Sequence, residues 1–145
     1  MSDHNAILTW LEENVQDMRQ SRRKTLAALV HGAVTSSKLG VHALGRAMSG
    51  KVGAKHCIKR VWRFLRNPNV EVESVCKSLF LSLAPVDEPI IILVDWTDLS
   101  PYQQLVFALP RDGRAIPFLC RTIRKDAGKG EMKRTEKEAL KDLAR

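Results

Sequence analysis

The sequence predicts an α+β protein, in which a helical N-terminal half is followed by a small sheet and a final helix. Apolar residues recur three and four positions apart from the start of the chain to about residue 83, which is the spacing of amphipathic helices. From residue 90 onward, β-branched and alternating runs separated by turn residues replace that pattern. The chain of 145 residues is therefore expected to form two parts, 1–85 and 86–145.

Five helices are predicted in the first part, over residues 5–19, 22–34, 36–48, 54–66 and 70–83. The clearest is the fourth, whose apolar stripe comprises Ile58, Val61, Trp62 and Leu65. Asn67-Pro68 ends this helix because the residue before a proline avoids helical backbone. The third helix has the weakest pattern, since it contains Gly40 and Gly45, and Ser49-Gly50 is predicted to end it.

Three strands and a helix are predicted in the second part. The apolar run Ile90–Val94 predicts a buried strand of a central sheet. A second strand is expected over Gln104–Leu109 and a third over Ala115–Ile123. Asp112-Gly113 between them is a strong hairpin-turn signal. Residues 131–143 have the composition of a helix.

Positive charge is concentrated in one segment. The chain carries 24 Lys and Arg against 16 Asp and Glu, a net charge of +8. Residues 21–70 contain eleven bases and no acid, whereas residues 71–100 contain six acids and one base. A segment without a single carboxylate repels itself unless a polyanion is bound, so nucleic acid is the predicted partner. The alternative is a basic domain without such a partner.

The candidate DNA-binding residues lie on two predicted helices. They are Arg22, Arg23 and Lys24 on the second helix and Lys55, Lys59, Arg60, Arg63 and Arg66 on the fourth. Lys59, Arg63 and Arg66 are spaced by four and three positions and therefore share one face. Long cationic side chains reach phosphates, and arginine can also read base edges. The alternative is a solvated basic face.

Asp95 is the candidate catalytic and metal-binding residue. It ends the apolar run 90–94, where a buried carboxylate is costly unless it binds a metal or is hydrogen-bonded. The ends of strands are also where active sites of α/β proteins collect. The alternative is that Asp95, with Thr97 and Asp98, forms a polar turn at the end of the strand.

Several classes of protein are excluded or disfavoured. Cys57, Cys76 and Cys120 are odd in number and widely spaced, which argues against a disulfide framework and predicts a reducing, cytoplasmic location. The longest apolar run is far shorter than the ~20 residues of a membrane helix, and no secretory signal opens the chain, so no membrane partner is expected. The histidines lack metal-ligand spacing, and no Gly-x-Ser-x-Gly motif supports serine hydrolase chemistry.

Three segments, taken in order, resemble a known family. Arg22-Arg-Lys-Thr25 opens a helix, Trp62 to Val70 reads WRFLRNPNV, and the first strand runs into Val94-Asp-Trp-Thr-Asp98. These segments are similar to the insertion-sequence transposases of the DDE class, and most of all to the cut-and-paste insertion sequence family four group. The resemblance extends over nearly the whole chain. It implies a helical domain that binds the terminal inverted repeats of the element, followed by a ribonuclease H-like core that begins β-β-β-α.

The resemblance also implies a site and a cofactor. Asp95 matches the family's first catalytic carboxylate, and three such carboxylates hold two Mg²⁺ ions for DNA strand cleavage and transfer. The family's second Asp and its Glu lie beyond the helix at which this chain stops. The later acids of this chain do not match them: Glu131, Glu136, Glu138 and Asp142.

What the resemblance implies is therefore the N-terminal portion of a transposase, expected to be inactive in cleavage on its own. Its expected partners are double-stranded DNA and either a second copy of itself or the full-length enzyme. Two alternatives remain open at this point: a truncated regulator that inhibits the full-length transposase, and a non-functional remnant with an exposed apolar strand edge.

Overall fold

A computed structural model describes residues 3–48 and 52–143 and has α+β architecture, as predicted. The elements are α1 (Asp3–Asn14), α2 (Gln20–Ser36), α3 (Val41–Ala47), α4 (Ala54–Leu65), α5 (Val72–Leu83), β1 (Leu93–Leu99), β2 (Tyr102–Arg111), β3 (Arg114–Arg124) and α6 (Gly128–Leu143). The order of helices and strands is the predicted one. The predicted helix end at Ser49-Gly50 lies outside the described residues. No described helix has the length and apolar character needed to cross a membrane.

The chain divides into two compact units, Met1–Val75 and Cys76–Arg145, which are called the helical unit and the sheet unit below. The division falls inside α5, whereas the sequence prediction places it after residue 85. Val75 packs with the apolar cluster of α1 and α2, while Phe80 and Leu83 pack with the core of the sheet. A helix that contributes to two cores carries no break in composition at the division between them.

Two apolar clusters hold the helical unit together. In the first, Leu11, Val15 and Met18 pack with Ala27 of α2. The first helix ends at Asn14, earlier than the predicted residue 19, and Val15 and Met18 are buried in the turn that follows. Their helical spacing in the sequence thus continues into a segment that is not helical. The second cluster joins α2, α3 and α4 through the buried residues Leu29, Leu44 and Val61.

The buried face of α4 differs from the predicted stripe. Cys57 and Val61 are buried and Phe64 packs with the same cluster, whereas Trp62 and Leu65 are 43% and 58% exposed. Both sets of residues have the three-and-four spacing of a helix face, so periodicity alone does not choose between them. The choice depends on where α3 and α2 lie, and the prediction that Trp62 and Leu65 belong to the buried stripe is wrong.

Gly45 sets the distance between α3 and α4. A Cβ atom on this buried glycine would lie 2.6 Å from Cα and 2.7 Å from the backbone nitrogen of Ile58. Real Cβ atoms do not approach backbone that closely, so the two helices pack at this separation only because residue 45 has no side chain. The glycine that weakens the sequence pattern of α3 is thus required by its packing.

The sheet unit contains a three-stranded antiparallel sheet with the order β1-β2-β3 among the described residues. Asp112 and Gly113 have φ angles of 50° and 71°, as a two-residue hairpin turn requires, so the predicted turn is confirmed. The strands β2 and β3 occupy the predicted segments and extend a few residues beyond them. Leu105 and Phe107 of β2 are fully buried in the core, together with Ala139 of α6.

The first strand is not the buried central strand that the sequence predicts. It begins at Leu93 rather than at residue 90, and Ile90 and Ile91 precede it with 45% and 66% of their surface exposed. In the described part of the chain β1 pairs with β2 alone, so it is an edge strand. An edge strand leaves one row of backbone groups and one face open to solvent, and a run of apolar residues there is not buried on both sides.

Candidate nucleic-acid interface

A groove of about 580 Å³ in the helical unit brings α2 and α4 together. Arg22 lines it from α2, and Arg60 and Arg63 line it from α4. The rest of the lining is mixed: it includes apolar side chains such as Cys57 and Phe64 and the polar residues Ser21, Thr25, His56 and Asn67. None of the described residues that line the groove is acidic. This basic groove thus joins three of the arginines that the sequence predicts as DNA-binding, from positions far apart in the chain.

Arg60 is held in the basic groove by a chain of hydrogen bonds. Its Nε and Nη2 atoms donate to Oγ1 of Thr25 at 3.1 and 2.8 Å. The Thr25 hydroxyl donates in turn to the carbonyl oxygen of Ser21 at 2.8 Å. The side chain of Arg60 is therefore positioned by a neutral group, and no carboxylate among the described residues forms an ion pair with it.

Arg22 is in a different electrostatic state. Its guanidinium forms an ion pair with the carboxylate of Glu71, and the two side chains are only 16% and 23% exposed. Glu71 follows the acid-free segment directly in the sequence and folds back onto its beginning. Part of the charge counted at the start of α2 is thus neutralised within the fold, and Arg22 contributes to structure as well as to the groove.

Arg63 is the third cation that lines the groove, and the other predicted cations do not line it. Arg63 donates from Nε to the carbonyl oxygen of Lys59 at 3.3 Å, and the guanidinium of Arg66 lies 4.8 Å from the ring centroid of Trp62. Lys24, Lys55 and Lys59 are exposed and do not line the groove. Arg23 is half-buried, and its Nε atom has no hydrogen-bond partner among the described residues.

Thr25 is a functional candidate to which the sequence assigns no role, although it belongs to the Arg22–Thr25 segment of the family resemblance. It is 8% exposed and lies on the buried side of α2. Its importance comes from contact with a residue 35 positions away, and no local signal predicts such a contact.

Asp95 is exposed in the middle of β1 rather than at the end of a buried strand. It lies opposite Val106 of β2, which lies opposite Cys120 of β3. Side chains that are directly opposite in antiparallel strands share one face of the sheet, so these three residues form one row on one face. The side chain of Asp95 makes no hydrogen bond or ion pair with other residues that the structure describes.

The helix α6 covers the other face. Trp96 donates from Nε1 to Oε1 of Glu136 at 2.6 Å, and Arg121 pairs with Asp142 at 3.3 Å. Trp96 and Arg121 flank Leu105 in the neighbouring cross-strand row, whose side chains point away from the row of Asp95. Asp95 therefore lies on the face that α6 leaves open, and the two acidic residues of α6 that contact the sheet do so from the opposite side.

The described residues do not fit a two-metal site. No group of three or more His, Cys, Asp or Glu side chains comes together anywhere in the ranges 3–48 and 52–143. The strand neighbours of Asp95 on its face are Leu93, Thr97, Gln104, Val106 and Ala108, and none of them is a second carboxylate.

Asp98 has the turn role that the sequence predicts for it. Its Oδ1 accepts a hydrogen bond from the backbone nitrogen of Ser100 at 3.0 Å, and Lys125 pairs with its carboxylate. The hydrogen bond from Lys125 lowers the pKa of Asp98 below its usual value, and the charge of the same ammonium group acts in the same direction. The carboxylate of Asp98 is thus held by two partners, whereas that of Asp95 has none among the described residues.

Comparison with protein-family models, curated proteins and solved structures found no match. The resemblance to DDE-class transposases therefore rests on the three sequence segments alone.

Proposed function

We propose that the protein binds duplex DNA through its helical unit, as the end-binding part of a DDE-class insertion-sequence transposase. The basic groove is the observation that carries this proposal, because Arg60 and Arg63 lie there beside the ion-paired Arg22, without an acidic residue in its described lining. The planar guanidinium group matches the geometry of a phosphate and binds it with two parallel hydrogen bonds. All described residues that line the groove belong to the acid-free segment 21–70, whose sequence carries further positive charge.

The helix α4 is the proposed DNA-reading element. It spans Ala54–Leu65, and a major groove about 12 Å wide admits a helix of this kind. Arg60 and Arg63 point to the basic groove, while Lys55 and Lys59 are exposed outside it. Lys55, Lys59 and Arg63 follow one another at four-residue spacing, and a row of cations along one face of a helix suits contacts to the phosphates that border a DNA groove. The proposed target is the terminal inverted repeat of the parent element.

The sheet unit is proposed to be the beginning of a ribonuclease H-like core, with Asp95 as its first catalytic carboxylate. The β-β-β-α order and the exposed, unpaired state of Asp95 among the described residues support this role. In a complete enzyme Asp95 would be one of three carboxylates around Mg²⁺, which would supply electrostatic stabilisation of the phosphoryl transfer.

A regulator is the second candidate function. It would occupy the element ends through the same basic groove and would need no metal site, which agrees with the absence of a second carboxylate among the described strand residues on the face of Asp95. Co-expression with an active transposase distinguishes the two, because a regulator lowers the transposition frequency. An unchanged frequency would reject the regulatory role.

The double substitution Arg60→Gln and Arg63→Gln is expected to weaken DNA binding at least tenfold near 0.1 M salt. Two phosphate contacts are lost, so the slope of log K against log salt concentration should fall by about 1.8. Fluorescence anisotropy with a labelled duplex measures both quantities. The matched control is Lys129→Gln with Lys133→Gln, which removes the same charge from exposed positions of α6. An equal loss for both pairs would show that net charge, not the groove, binds DNA.

Sequence recognition is tested in the same assay with an inverted-repeat duplex and a scrambled duplex of equal length. Tighter binding to the inverted repeat is expected. Equal affinity for the two duplexes would reject recognition of element ends while leaving general DNA binding in place.

The substitution Asp95→Ala is expected to leave both the fold and the DNA affinity unchanged. The side chain is exposed and lacks described partners, so the free energy of unfolding should change by less than about 0.5 kcal/mol. In a complete enzyme that contains this sequence, the same substitution should abolish strand cleavage. Thermal melting, anisotropy and a cleavage assay measure the three effects. A large loss of stability would instead identify Asp95 as a structural residue.

A further inference from the structure

We propose that Arg60, Thr25 and Ser21 form a clamp for one backbone phosphate of DNA, in which Thr25 is a positioning residue. The clamp rests on the proposed DNA-binding function and adds to it a specific ligand group, a phosphodiester, and a residue that acts through another. The hydroxyl of Thr25 orients the Arg60 guanidinium, and the N–H groups that remain on that guanidinium bind the phosphate.

The hydrogen-bond inventory favours this arrangement. A threonine hydroxyl has one donor and two acceptor positions. Here the donor is used on the carbonyl of Ser21 and both acceptor positions are used by Arg60, so the hydroxyl has no freedom to rotate. A guanidinium has five N–H groups, and the two that contact Thr25 leave three for a ligand. The fixed hydroxyl of Thr25 therefore holds the Arg60 guanidinium in one orientation, with three N–H groups left to bind a ligand.

Burial divides the clamp into an anchored end and an open end. Thr25 is only 8% exposed, and its contact with Ser21 lies within one turn of α2. Arg60 is an exposed residue of α4 and lines the basic groove. The conformational freedom that the Arg60 side chain would lose on binding DNA is thus largely lost already when the helical unit folds. Binding by a pre-ordered side chain is tighter for this reason.

The charge balance within the groove identifies the ligand as an anion. Arg22 lines the same groove and is neutralised by Glu71. Arg60 and Arg63 bond to a hydroxyl and to a backbone carbonyl, both of which are neutral. Arg60 and Arg63 therefore keep their full charge in a groove whose described lining contains no carboxylate. A phosphodiester supplies one negative charge and two acceptor oxygens for the fork of Arg60.

The test is a double-substitution cycle on duplex DNA, with wild type, Thr25→Val, Arg60→Gln and the two together. Valine keeps the size and neutral charge of the side chain and removes only the hydroxyl. We expect Arg60→Gln to weaken binding about tenfold and to lower the salt slope by about 0.9. Thr25→Val should weaken binding about fivefold in the wild-type background and have no further effect beside Arg60→Gln.

Thr35→Val is the matched control, because Thr35 lies on the same helix and donates to the carbonyl of His31 at 2.9 Å without an arginine partner. Its affinity for DNA should equal that of the wild type. If the effects of Thr25→Val and Arg60→Gln are additive, or if Thr25→Val binds like the wild type, the clamp is wrong while DNA binding stands. If the wild-type protein does not bind duplex DNA, the proposed function fails and the clamp with it. Thermal melting of each variant verifies that the helical unit is folded.

Discussion

Replacing Phe107 by alanine is expected to lower the free energy of unfolding by about 3–5 kcal/mol. Phe107 is fully buried in the middle of β2, where it packs in one cluster with Leu105, Phe118 and Ala139. Truncation removes the transfer free energy of the ring and leaves a cavity that the strands on either side cannot close. For a small unit with one apolar cluster, this loss is a large fraction of its total stability.

Urea unfolding measures the change, and hydrogen exchange of peptides from β2 and β3 locates it in the sheet unit. Tyr102→Ala is the matched control, since Tyr102 is an aromatic residue of the same strand that is 45% exposed. It should cost clearly less than Phe107→Ala, because nearly half of the Tyr102 surface is exposed to water in the folded protein. Equal free energies of unfolding for the two variants would show that the apolar face around Phe107 does not stabilise the sheet.

The parts of the fold that the sequence predicts correctly are those with local causes. The hairpin of β2 and β3 is specified by Asp112-Gly113, whose φ angles are set by two adjacent residues. The order of helices and strands follows from the change in apolar period along the chain. These signals need no knowledge of what lies across the fold, and they are confirmed.

The features that the sequence misses depend on neighbours distant in the chain. Two overlapping sets of residues on α4 have helical spacing, and the position of α3 decides that Cys57 and Val61 are buried while Trp62 is not. The apolar residues of the run 90–94 predict a buried strand. Such a run is buried only where strands lie on both sides and both faces of the sheet are covered, and in the described part of the chain β1 has one neighbouring strand and is largely exposed.

The candidate site likewise has features with local causes and features that depend on residues distant in the chain. Charge can be read directly from the residue types, so the sequence predicts the cations of α2 and α4 as DNA-binding candidates. Which of them keep their charge is decided by contacts across 49 and 35 positions, those of Arg22 with Glu71 and of Arg60 with Thr25. For Asp95 the sequence signal is a carboxylate that follows an apolar run. The face of the sheet on which its side chain lies follows only from the register of β1 with β2.

The second large effect is expected from Gly45→Ala, which should lower the free energy of unfolding by about 3 kcal/mol. Helix propensity alone predicts the opposite sign, since alanine in a helix is more favourable than glycine by about 1 kcal/mol. The new Cβ would lie within 2.7 Å of backbone atoms of Ile58, and backbone cannot move aside as a flexible side chain can. The strain therefore has to separate α3 from α4.

Gly130→Ala is the control for Gly45→Ala, because a Cβ at this helical position of α6 meets nothing within 4 Å. It should be neutral or slightly stabilising, as propensity predicts. Urea unfolding compares the two variants, and hydrogen exchange should rise in peptides of α3 and α4 for Gly45→Ala alone. Because the basic groove is built on α4, DNA affinity should fall in the same variant. A Gly45→Ala protein as stable as Gly130→Ala would mean that α3 and α4 do not pack at the distance described, and the position of Arg60 and Arg63 in the groove would have to be reconsidered with it.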